Sequence, residues 1–199
     1  LGVAFSVYGV VAMIAYFAGG PLADRYSARS LMATALVATG LGGVVLTTIP
    51  STDVMNVLWG GWGATTILLF WSAMLRATRE WGGDHAQGRA YGLLDGGRGL
   101  LAAVIASATV LVFAVLLPVA PDVATLEQRS AAFSGVIWMF TGVTLLVAAL
   151  VFVVVPASPP TAILDGRPRL SMNGVRASMR MPTVWLHAVI VVCAYVGYK

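Results

Sequence analysis

The sequence predicts an all-α, polytopic membrane bundle, and three observations carry that prediction. Hydrophobic residues make up 59% of the 199 and charged residues 10%, against about a quarter charged in soluble domains. Uncharged stretches of membrane-crossing length recur, as in residues 1–19 and 30–49; about 20 apolar residues cross a hydrocarbon core of about 30 Å as a helix. The charges gather in the segments between those stretches and are strongly lopsided. A membrane barrel would show alternating segments of about 10 residues, and none stands out. The net charge of +4 does not point to nucleic acid, because the basic residues flank spans. The single cysteine, Cys193, excludes an internal disulfide and a cysteine-based metal cluster. No cofactor is expected.

The first span covers about Leu1 to Gly19 and sets Tyr8, Ala12 and Tyr16 on one helical face. That face either lines a polar cavity or packs against neighbouring helices. Gly20-Pro21-Leu22-Ala23-Asp24-Arg25-Tyr26-Ser27-Ala28-Arg29 is then a doubly basic turn at a bilayer surface. A second span follows from about Ser30 to Ile49, and Pro50-Ser51-Thr52-Asp53 is a minimal turn. The third span, about Val54 to Leu75, contains Trp59-Gly60-Gly61-Trp62-Gly63. Glycines at that density predict a close approach to a neighbour or a bend, and Trp59 is expected to anchor at the membrane surface.

Arg76 to Arg89 reads as a polar loop, in which His85 has no partner at metal-ligand spacing. The fourth span, about Ala90 to Leu117, opens with Tyr91-Gly92-Leu93-Leu94-Asp95-Gly96-Gly97-Arg98-Gly99. Pro118 to Gln128 is a loop on the opposite face. The fifth span, about Arg129 to Val155, is aliphatic and reads as filler. Pro156 to Pro182 is long and basic, with a short amphipathic helix expected over Asn173 to Met181. A last span starts near Thr183 and carries His187, Cys193, Tyr195, Tyr198 and Lys199.

Alternating the loops between faces puts Arg25, Arg29, Arg76, Arg79, Arg89, Arg167, Arg169, Arg176 and Arg180 on one side. The other side holds Arg129 beside Asp53, Asp122 and Glu127. The positive-inside rule makes the first side cytoplasmic.

On the motif Gly20-x-Leu22-x-Asp24-Arg25, with Arg29 four residues further on, the chain resembles the major facilitator superfamily, at the loop joining its helices two and three. The resemblance implies a layout. Residues 1–155 would be the N-terminal bundle, helices two to six, lacking the first helix. Residues 156–182 would be a cytoplasmic linker, and 183–199 the start of the C-terminal bundle. Because the chain lacks an initiator methionine and begins and ends inside spans, it is expected to be a fragment. The resemblance also implies a cytoplasmic gate in which Gly20, Asp24, Arg25 and Arg29 meet helix eleven of the other half.

The fourth span also resembles the organophosphate:phosphate antiporter and anion symporter branches. Alignment on Gly88-Arg89-Ala90-Tyr91 puts Arg98 at a substrate-contacting position of the glycerol-3-phosphate antiporter, and Tyr16 falls where that protein has a cavity lysine.

Asp95 and Arg98 are the ionisable residues well inside a complete span. Arg98 lies about 13 Å inward from Arg89, near the midplane. A charge there costs roughly 2.5–3.5 kcal/mol on insertion scales, so it should face protein or water. The two residues share a helical face: either they neutralise each other as a structural pair or they address one cavity. Lys199, about 24 Å into the last span, could join them with Tyr195 and Tyr198, or snorkel outward.

No nucleophile–base pair or phosphate-binding loop supports an enzyme. The expected function is a secondary active transporter in the inner membrane. It would move a small organic anion by alternating access, with a proton or counter-transported anion as coupling partner, as a monomer at full length. The alternatives are a proton-coupled carrier of neutral or cationic solutes, with Asp95 as the proton site, and a transporter-like sensor.

Overall fold

In the computed structural model the described residues are 2–157, 176–177 and 179–198, with the side chains of 191 and 194–198 outside the description. Five helices in it are long and apolar enough to cross a membrane. The chain divides into two units, Leu1–Pro160 and Thr161–Lys199.

In the first unit, α1 (Gly2–Arg25) runs straight through Gly20 and Pro21. The expected ten-residue turn therefore shrinks to Tyr26 and Ser27. Pro21 cannot donate a hydrogen bond to the carbonyl one turn back, yet the helix persists because its end is held from outside, as described below. Ser27 starts α2 (Ala28–Leu46) as an N-cap, its Oγ accepting from the Ser30 amide. Such a cap satisfies one of the first-turn amides left without helical partners.

The third span is one rod, Thr52–Gly82, made of α3 (Thr52–Gly63), a π-helical segment (Ala64–Trp71) and α4 (Ser72–Gly82). This corrects the expected stop at Leu75. Nothing between Leu75 and Gly82 breaks a helix, so the chain stays helical through Arg76 and Arg79. A rod of 31 residues is about 46 Å long, enough to emerge from the hydrocarbon and carry those arginines to a membrane interface. The connection to α5 (Gln87–Leu116) is correspondingly short. α6 (Leu126–Val154) opens with a capping box, in which Thr125 Oγ accepts from the Gln128 amide and Gln128 Oε1 from the Thr125 amide.

The inner faces are built from small residues. α1 buries Ala4, Ala12, Ala15, Gly19 and Ala23 against the third rod. α2 lies along α6, where Gly40 faces Leu145 and Gly43 faces Thr141. The fifth span, expected to fill space against lipid or neighbouring helices, packs on α2 with Val136, Ile137, Thr141 and Ala148 buried. Large side chains such as Phe5, Phe17, Leu100 and Val104 point outward. In hydrocarbon there is no gain in hiding them, and association relies on close van der Waals contact between small residues. Trp59, expected as a surface anchor, packs edge-on to Phe5, with ring centroids 6.1 Å apart, and lies 4.8 Å from Trp62.

In the second unit α7 (Pro182–Tyr198) is the described element. Trp185 Nε1 donates to the Met179 carbonyl at 2.9 Å, and His187 Nδ1 lies 2.7 Å from the Thr183 carbonyl. A carbonyl only accepts, so the proton of that bond sits on Nδ1. Most of the expected linker, including the start of the proposed amphipathic helix, lies outside the described residues.

Gly63 and Gly61 give a paired test of the packing rule. A Cβ at Gly63 would sit 2.8 Å from the Tyr8 carbonyl and 3.4 Å from the Ala12 amide, whereas one at Gly61 meets nothing within 4 Å. Gly63→Ala should destabilise by about 1–3 kcal/mol through overpacking. Gly61→Ala should be neutral, or stabilise by roughly 0.5–1 kcal/mol. Thermal unfolding in detergent, read on both variants, checks the difference in sign.

Candidate functional site

α5 is the least covered of the spans: Ala90 is its buried residue. At Gly88, Gly92, Gly96, Gly97 and Gly99 an added Cβ would meet nothing within 4 Å. This open, glycine-lined surface carries Asp95 and Arg98. The Arg98 Nη1 to Asp95 Oδ1 distance is 3.9 Å, with both side chains more than half exposed. That exceeds hydrogen-bonding reach, so the two are electrostatic neighbours rather than a bonded pair. The Arg98 guanidinium lies over the Trp71 ring, 5.5 Å from its centroid, within the range of a cation–π contact. Trp71 ends the π-helical segment, which fixes its height in the bundle level with the middle of α5.

That segment is held by hydroxyls. The Trp62 carbonyl accepts from Thr66 Oγ1 at 2.6 Å and Thr65 Oγ1 at 3.3 Å. Tyr8 OH lies 3.1 Å from Thr66 Oγ1, and Thr39 Oγ1 2.9 Å from Thr65 Oγ1. Thr66 has one proton, directed at Trp62 at 2.6 Å, so Tyr8 donates to it, whereas between Thr39 and Thr65 either hydroxyl can donate. Two relays, one from α1 and one from α2, thus converge where the pairing register of the rod changes. Trp62 Nε1 closes the second by donating to the Thr39 carbonyl at 3.2 Å. The expected tyrosine face of α1 is thereby divided: Tyr8 and Ala12 pack on the π-helical segment, while Tyr16 is 55% exposed.

At the C-terminal end of α1, Arg76 is buried. Its Nη1 donates to the Ala23 carbonyl at 2.5 Å and the Tyr26 carbonyl at 3.2 Å, and its Nε to Glu80 Oε1 at 2.6 Å. These carbonyls lie at the C-terminal end of α1, where the helix dipole is negative, so a guanidinium both neutralises and ties off the helix beyond Pro21. Sequence reading placed Arg76 in a loop and missed this role. The readable signal was Arg76 and Glu80 at i, i+4 with no helix breaker between them.

Beside Arg76 is a pocket of about 370 Å³ lined by Gly20, Ala23, Asp24, Ser72, Leu75, Arg79 and Tyr91. Asp24 is half-buried and forms no ion pair among the described residues. Arg25 lies 5.8 Å from its neighbour's ring at Tyr26, and Arg29 lies over Phe152 of α6 at 5.0 Å. The motif charges are therefore gathered at one end of the bundle without being bonded to one another. Of the other candidates, Tyr195 falls in α7 with its side chain outside the description, and Lys199 lies outside the described residues.

The model of the major facilitator superfamily matches residues 1–198. The chain belongs to this superfamily. It is 26% identical over 198 residues to the inner membrane protein YqcE and 27% identical over 201 residues to the inner membrane protein YihN, both of Escherichia coli strain K12. Each match covers 100% of this chain and 45% of the relative, so the chain spans about half the length of these proteins. No solved structure matches it significantly. Together with the five apolar helices, membership makes this major facilitator chain a multi-pass protein of the inner membrane.

Replacing Arg76 with Gln should leave the Ala23 and Tyr26 carbonyls without their charged donor. The expected cost is about 1.5–3 kcal/mol, the range for hydrogen bonds to a charged group, read as a lowered unfolding temperature. Amide exchange should rise locally after Pro21; unchanged protection there would argue against the tie.

Proposed function

We propose that the chain is the substrate-binding half of a secondary transporter that moves a small organic anion by alternating access. The observation that carries this reading is Arg98 lying on Trp71, mid-span, on the uncovered glycine-lined face of α5. A mid-span charge on a face that the other helices of the first unit leave open should meet water or protein rather than lipid, which suits a solute pathway. With Asp95 beyond hydrogen-bonding distance, the donors of Arg98 remain available for two parallel bonds to a carboxylate or phosphate. Trp71 holds the guanidinium plane in place. Tyr16, exposed on α1, extends the proposed substrate set, for which the sequence also offers Tyr195 and Lys199. A coupling proton or counter-transported anion would drive the cycle.

A second reading, proton-coupled carriage of neutral or cationic solutes, is favoured by the exposure and loose pairing of Asp95. Transport assays on the full-length protein separate the two. Under the anion reading Arg98→Lys weakens substrate binding by about tenfold to a hundredfold, the value of one or two charge-assisted hydrogen bonds, and competing anions inhibit. Under the second reading Asp95→Asn uncouples transport and Arg98→Lys is mild. Gly96→Leu should melt like the wild type, since its site is open, and yet block uptake.

The cytoplasmic turn is the proposed gate. Asp24 sits in the last turn of α1, where the helix dipole disfavours an anion, and it pairs with no base among the described residues. That placement suits a carboxylate that meets the positive N-terminus of a helix in the other half, flanked by Arg25 and Arg29, with Gly20 leaving the approach open. Asp24→Asn should preserve expression and membrane insertion while slowing transport severely; wild-type kinetics would rule out the gate.

A further inference from the structure

Between α2 and α6 lies an apolar groove that none of the proposed substrate residues lines, next to Arg29 of the proposed gate. The groove, of about 520 Å³, is walled by Val37, Ala38 and Leu41 of α2 and by Leu145, Ala149 and Phe152 of α6. Its wall is apolar apart from Thr34. At 1.5 Å per residue it extends about 12 Å along α2 from Ala33 to Leu41, most of the depth of one leaflet. Arg29 stands at its cytoplasmic mouth. The guanidinium rests on Phe152, 5.0 Å from the ring centroid, and its Nε is buried with no hydrogen-bond partner. Arg29 also pairs with no carboxylate among the described residues.

An arginine at headgroup height, facing no acid and poised over an apolar channel of leaflet depth, matches one molecule from end to end. We infer that this groove is a binding site for an anionic phospholipid of the inner leaflet. One acyl chain would lie along Val37, Leu41 and Leu145, and the phosphate would take hydrogen bonds from Arg29. Charge and shape both select the occupant. The bilayer supplies acyl chains along the whole face, and a basic side chain between membrane helices on the cytoplasmic side attracts acidic headgroups. Arg29 is part-exposed, so a phosphate at the mouth can pair with its guanidinium through short charge-assisted bonds. Phe152 serves both parts: one face of its ring orients the guanidinium and its edge closes the groove.

The test is native mass spectrometry of the full-length protein in detergent, titrated with phosphatidylglycerol or phosphatidylcholine. Wild-type protein should retain phosphatidylglycerol preferentially. Arg29→Gln should lower that preference by about fivefold, the worth of one basic side chain at an acidic surface, while leaving uncharged-lipid binding unaltered. Ala149→Phe, on an exposed wall of the groove, should fill the channel and abolish retention of both lipids with little change in the lipid-free unfolding temperature. Equal retention of the two lipids by wild type, or full phosphatidylglycerol retention by either variant, would overturn the site. Loss of transport with lipid binding intact bears on the proposed function and leaves this site standing, so the two readings fail separately.

Discussion

Packing in this bundle depends on how closely helix backbones approach when burying large side chains brings no reward. In hydrocarbon, contact between small residues and satisfied backbone polarity replace the hydrophobic effect. The consequences run through the first unit. Ala4, Ala12, Ala15, Gly19 and Ala23 form the contact stripe of α1, and Gly63 brings the third rod almost onto the backbone at Tyr8. That proximity puts Tyr8 within reach of Thr66 and Thr39 within reach of Thr65. The hydroxyl relays are therefore a product of the small-residue seams, and they hold the register change that sets Trp71 beside Arg98.

Three arginines show how environment alone divides one chemistry into three uses. Arg76 is buried among carbonyls and a carboxylate, where its fork closes the end of a helix that a proline would otherwise loosen. Arg98 meets an aromatic face and a distant acid, so its donors stay available on an open surface. Arg29 meets an aromatic face at the membrane boundary above an apolar groove. Guanidinium is suited to all three because it stacks and hydrogen-bonds at the same time, without losing its charge. Lysine, with a compact and strongly hydrated charge, would serve in none of them equally well.

Asymmetry of cover is what points the unit toward a function. α1 and α2 are buried on stripes along most of their length, whereas α5 packs on α4 and α6 and leaves its glycines open. A helix that is both glycine-rich and charged at mid-height is costly against lipid. The side that bears Asp95 and Arg98 therefore calls for water, solute or another helix, while the aliphatic groove of α2 and α6 calls for acyl chains.

The class and the placement of the five apolar spans were legible in the sequence, because hydrocarbon thickness dictates span length. The Asp95–Arg98 spacing and the Asp24-Arg25 motif were likewise visible as residues. Helix ends were less so. Gly20-Pro21 reads locally as a turn, and only the guanidinium of Arg76, distant in sequence, shows why the helix continues to Arg25. Nor does composition reveal a π-helical register at Ala64–Trp71, since it rests on hydroxyls from two other helices. Sequence by itself determined which segments are long and apolar enough to cross the membrane. Tertiary structure decided which charges are tied and which are left available, because partners contributed by other helices carry no local signal along the chain.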